Sequence, residues 1–320
     1  MIHFIGMLRL LAIALITNSH FDGVYPANFS FGGAPGVCLF FLITGFLLTG
    51  KGIQQSPLRW YGRKVLRIYP AVVLACIFMI ALGDIRIETP ADALKSFIFP
   101  TQWWYVECIL ILYAAFYVIR RYAAQHIGLI MTAAAGAYLI IFAASGEFDR
   151  FVVDSFWYRL CYGIIAMLAG SLLRERWNAG QLKTGMRSFA TWGVASCLAM
   201  GFFLIMKVLT AQLDWMNGLQ FLVHAASVLF AWCACHCFAA LEPWLCRHAG
   251  HPLFRIGMYI SASSLEIYLL QQPVIDRMRG CGGFPINLIL MVTTILAVGC
   301  CAHWCIASTC KLLSRLGRRS

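Results

Sequence analysis

The chain has 320 residues, of which 61% are hydrophobic and only 12% charged, and its mean hydropathy is +0.77. A soluble domain carries about 25% charged residues, so half the usual charge is available to coat a surface and a water-soluble globule is excluded. The net charge of +12 does not indicate nucleic acid, because the basic residues sit between apolar blocks and no aromatic-basic patch accompanies them.

The apolar residues fall in blocks of membrane-spanning length. They predict an all-α, polytopic integral membrane protein with about ten transmembrane helices. In chain order the spans are 4–20, 34–50, 68–83, 103–119, 127–144, 156–173, 189–206, 219–240, 259–275 and 285–309. The first is not expected to be a cleavable signal peptide, since it lacks a basic n-region and Asn18-Ser19-His20 offers no small-residue cleavage site. The loops between spans run to about twenty residues, so residues 1–320 read as one transmembrane domain, with any chemistry inside the bundle or at its rims.

The loop charges set the orientation. Lys51, Arg59, Arg63, Lys64 and Arg67 lie on the N-terminal side, as do Arg120, Arg121, Arg174, Arg176, Lys183 and Arg187. Arg247, Arg255, Lys311, Arg315, Arg318 and Arg319 complete that set. Opposite them stand Arg86, Lys95, Arg150, Arg159, Lys207, Arg277 and Arg279, with the acidic Asp84, Glu88, Asp92, Glu147, Asp149 and Asp154. The positive-inside rule puts both termini in the cytoplasm.

Within the spans, Arg9, Glu107 and Glu266 are charges that lipid disfavours. Arg9 and His20 are eleven residues apart, three helical turns plus about 20°, so one face carries a cation near the inner rim and a base about 16 Å away near the outer rim. A snorkelling arginine with a polar helix end gives the same pattern. Gly32-Gly33-Ala34-Pro35-Gly36 precedes the second apolar run, and glycines there allow close backbone approach or a broken helix. Arg63, Lys64 and Arg67 can line one face of a short helix, with Pro70 in the first turn of the third span. Three cations at a cytoplasmic rim suit a polyphosphorylated ligand, and equally suit positive-inside anchoring.

Fourteen cysteines mostly lie inside apolar blocks, where a thiol behaves as a small hydrophobe, so no disulfide framework is expected. Cys233, His236 and Cys237 share a helical neighbourhood, while Cys235 points away and the spacing matches no standard zinc site. No metal is expected.

Taken together, these residues resemble the membrane acyltransferase-3 family. Arg9 and His20 match its basic residue, ten others, then histidine. Gly36 to Phe46 resembles its second-span motif, with Cys38 for the usual Asp and Thr44 for the usual Ser. Arg63 to Pro70 resembles its R-R-x-x-R-I-x-P motif, with Lys64 at the second position. Trp104, Tyr105 and Tyr113 resemble its fourth span. Ser261 to Val274 resembles its late Y-L-x-H-x-P segment, with Gln271 for the usual His.

The resemblance implies acyl transfer, with acetyl favoured, from cytoplasmic acyl-CoA to a hydroxyl of a surface or secreted polysaccharide, in a cell inner membrane. Arg9, Arg63, Lys64 and Arg67 would then bind the coenzyme, and His20 would act as general base. Glu107, expected at the depth of His20, would orient the imidazole, with Asp22 a second candidate. Glu266, expected at the depth of Arg9, could pair with it. Implied partners are a glycan or lipid-linked glycan acceptor, membrane lipid and polysaccharide-assembly proteins. A transporter or flippase of lipid-linked glycans and a non-catalytic subunit of an assembly complex are the competing readings.

Overall fold

A computed structural model describes residues 2–26, 29–50, 53, 55–99, 102–145 and 155–316, without the side chains of 313–316. Lys51, Glu147, Asp149, Arg150, Asp154, Arg318, Arg319 and the side chain of Arg315, all used above to set orientation, lie outside the described residues.

The described chain is helical, with no strand. In order the helices are α1 (His3–Asn18), α2 (Gly33–Thr49), α3 (Pro57–Ala81), α4 (Pro90–Phe97), α5 (Trp104–Tyr122), α6 (Ile127–Ser145) and α7 (Phe156–Asn178). They continue as α8 (Met186–Gln212), α9 (Gln220–Ala240), α10 (Glu242–Arg247), α11 (Pro252–Ala262), α12 (Ser264–Met278) and α13 (Ile286–Leu316). Six helices, some with an adjoining short turn, are long and apolar enough to cross a membrane, or seven if α11 and α12 form one bent span. The shorter α1 and α2 are also apolar.

Their burial separates a centre from a rim. In the most apolar stretches of α7 and α9, 61% of residues are buried, against 17% beside α6 and 22% in α8 and α13. The outer helices therefore present leucine, isoleucine and phenylalanine outwards, a surface that suits lipid and would aggregate in water. α2 is enclosed by α1, α7, α9 and α5, so its length of about 26 Å need not match the bilayer by itself.

Glycine permits that enclosure. A Cβ on Gly45 would lie 1.8 Å from the Met167 carbonyl oxygen, and one on Gly170 would lie 1.9 Å from that of Leu42. α2 and α7 thus cross backbone against backbone, as small residues allow between membrane helices. On the other side of α2, Gly36 meets the Ala12 carbonyl of α1 at a would-be 2.7 Å. The exposed N–H groups at the start of α1 are satisfied across the molecule, where both carboxylate oxygens of Glu242 accept, from His3 N (2.8 Å) and Phe4 N (2.7 Å).

Two sequence expectations change. The third helix begins at Pro57 rather than near 68, so Pro70 lies inside α3 and not in a first turn. The reason is that the cationic stretch continues the helix, and Pro57 takes the favourable first-turn position. The ninth span is broken, since α11 and α12 meet at Ser263 with a 73° bend. The segment after α3 is also structured. Pro90–Phe97 form α4, opened by a Thr89–Asp92 capping box, and run back along α3. The Cys76 thiol donates to the Ser96 carbonyl at 3.0 Å, and the Tyr69 hydroxyl donates to Ile98 O.

Candidate functional site

Two cavities lie back to back in the bundle. One, called the outer cavity after the side that the loop charges lead one to expect, has about 480 Å³ and is flanked by α1, α2, α8, α9 and α12 and by the start of α5. The inner one, about 270 Å³, lies among α1, α2, α3, α5, α12 and α13. Ile16 and Tyr268 line both, so together they form the partition.

His20 faces the outer cavity, half-buried, two residues past the end of α1. The glycine run explains its setting. Gly32, with φ 105°, packs under Leu15, and Gly33 packs against Ser19, so α2 begins directly against the end of α1. Burial pulls the His20 imidazole below its ordinary value, and the Asp276 carboxylate pulls in the opposite direction with smaller effect. Asp276 is itself held by the Gln272 amide at 2.9 Å.

Gln271, at the position where the resembled family has His, is buried, and its Oε1 accepts from Thr17 Oγ1 at 2.7 Å, one turn before His20. Pro273 lies inside α12. Its missing N–H frees the carbonyl four residues earlier, and Trp103 uses it, with Nε1 donating to Leu269 O at 3.2 Å. That bond fixes the indole at the floor of the outer cavity. Tyr162 lines the same cavity and donates to Ala34 O at 3.1 Å, and the buried Cys38 lies against its hydroxyl.

The inner cavity collects cations. Arg9, Lys64 and Arg67 all line it. Arg9 also feels the charge of Arg67 and lies near the half-buried Tyr105 and Tyr113. The Lys64 ammonium sits 5.2 Å from the centroid of the Trp60 ring. Glu266 and His303 line the same cavity, with Glu266 Oε1 3.0 Å from His303 Nδ1 and Glu266 Oε2 buried without a hydrogen bond.

The structure therefore brings together Arg9, Lys64 and Arg67 on one side of the partition and places His20 on the other. Arg63 is exposed and lines neither cavity, because the wall takes the Lys64–Arg67 edge of α3. Glu107 also lines neither cavity. Tyr105, two residues before it, packs against Tyr268 with ring centroids 5.6 Å apart. Asp22 is exposed, away from the cavity lining. Glu266 shares the inner cavity with Arg9, as its depth suggested, but its ion-pair partner among the described residues is His303. His303 and His224, in apolar spans, were legible by the same charge-in-a-span signal and were missed.

Among the described residues, the group that could hold a metal is His3, Glu242 and Cys246, not the Cys233–Cys237 stretch, where His236 stacks on Trp192 at 4.2 Å. Glu242 already caps α1 there, which leaves little for an ion.

A family model described as an acyltransferase domain matches residues 2–308. No curated protein and no solved structure matches the chain.

Proposed function

The chain belongs to the acyltransferase-3 family, whose domain spans nearly all of it, and from that premise we propose that it moves an acetyl group from cytoplasmic acyl-CoA to a hydroxyl of a surface or secreted polysaccharide. In this reading the chain crosses the cell inner membrane ten times, through α1, α2, α3, α5–α9, the bent α11–α12 pair and α13, with both termini in the cytoplasm.

One observation carries the reading: a cavity rich in cations and a cavity holding a histidine share two lining residues, Ile16 and Tyr268. Lys64 and Arg67 take the phosphates of the coenzyme, with Arg9 beside them, since guanidinium and ammonium groups match phosphate in charge and geometry. Arg63, one turn along α3, adds positive potential. The pantetheine arm extends towards Tyr268 and delivers the thioester to the partition. The acceptor enters from the outer cavity, where His20, kept neutral by burial, takes the proton of its hydroxyl. The hydroxyl oxygen bonds to the thioester carbon, the C–S bond breaks, and the proton passes to the departing thiolate. Glu107 has no part in this sequence.

The test is His20→Ala in the producing cell, with ester-linked acyl groups measured on the extracellular polysaccharide at matched protein level. Loss of the esters with the polymer still exported is the expected result. Unchanged esters would remove His20 from the mechanism. Disappearance of the polymer itself would favour a transporter of lipid-linked glycans.

A further inference from the structure

The mechanism above leaves one charged group of the outer cavity unused. Lys207 lies on α8, half-buried, and faces the cavity. Phe203, one turn earlier, faces it too, so this edge of α8 is turned inward and Lys207 is not a side chain running out along lipid. Among the described residues, no Asp or Glu lines the cavity. Among the described residues, no ion pair reaches the Lys207 ammonium. A cation in a mostly apolar enclosure is costly without a counter-charge, and this wall supplies none. The rest of the lining suits a sugar. Trp103 and Trp104 offer aromatic faces, and Gln271 and Gln272 bring amides close to His20. The volume of about 480 Å³ lies in the range of small-ligand pockets.

We propose that the acceptor is anionic, and that Lys207 holds its oxyanion while His20 addresses a hydroxyl of the same molecule. This rests on the acyltransferase reading and narrows it, because neutral glycans would leave Lys207 without a partner. The oxyanion is a carboxylate or phosphate on the sugar unit, or the phosphate of a lipid carrier.

The experiment uses membranes containing the full chain, labelled acetyl-CoA, and unesterified glycan isolated from cells lacking the chain, both free and lipid-linked. Label is expected on a fraction whose sugar carries an acid, or on the lipid-linked fraction alone if the carrier supplies the phosphate. Lys207→Gln should slow labelling about tenfold, the loss of one charge-assisted hydrogen bond, and Lys207→Arg should retain most of it. Labelling of a neutral glycan free of its carrier would overturn the inference. So would a Lys207→Gln protein as fast as the parent. If Lys207→Gln does not insert, the composition of the labelled glycan still decides. If no fraction takes label with the parent protein, the acyltransferase reading itself fails.

Discussion

His20 sets the chemistry through its surroundings. Burial holds its pKa below the ordinary histidine value of about 6.5, so the neutral, proton-accepting form persists into mildly acidic solution. The rate of acyl transfer should therefore rise with pH through a limb below that value and stay flat above it. Asp276→Asn removes the charge that opposes the burial effect, and should move the limb further towards acid. A limb at or above the ordinary value would mean another group supplies the base. At the inner cavity, Lys64→Gln and Arg67→Gln each remove one phosphate partner, so KM for acyl-CoA should rise about 10- to 100-fold in each single variant, at about 1.5–3 kcal/mol per charged contact. Because the lost term is binding rather than transition-state contact, kcat should change far less. Trp103→Phe keeps the ring but strands the Leu269 carbonyl that Pro273 leaves open. It should cost about 1–3 kcal/mol of stability in thermal unfolding in detergent.

Among the helices, the contact between α2 and α7 is the least tolerant. Gly45→Ala or Gly170→Ala puts a methyl within 2 Å of a carbonyl oxygen, where neither backbone can yield without moving a helix. Each should destabilise the protein by about 1–3 kcal/mol or more, seen as loss of monodisperse protein on extraction, whereas Gly128→Ala and Gly136→Ala, with open space around them, should not. The helices themselves were readable from apolar run length, as was the gathering of Arg9, Lys64 and Arg67. What escaped was whatever depends on how far chain travels between runs. The back-tracking of α4 along α3 has no hydropathy signal. The break at Ser263 was equally hidden, since 259–275 carries no proline or glycine at the bend. Arg63 failed for a subtler reason: three cations fit one helical face, but the cavity takes only part of that face.

For the whole molecule, the proposed topology can be read by chemistry. Cys281 is exposed in the turn after α12 and Cys246 is exposed at the end of α10. In intact cells, variants keeping one of these thiols should differ, with Cys281 labelled by an impermeant maleimide and Cys246 labelled only after permeabilisation. The reverse pattern would invert the orientation and exchange the roles of the two cavities. The partition at Ile16 and Tyr268 has an electrical consequence as well. Where two water-accessible hollows approach from opposite sides, the membrane voltage falls mainly across the thin insulating layer between them. A unit charge crossing the full potential gains or loses about 2.3 kcal/mol per 100 mV. A proton handed from His20 to the departing thiolate would traverse much of that drop, so ester formation in an energised cell should run at a rate set partly by the resting potential.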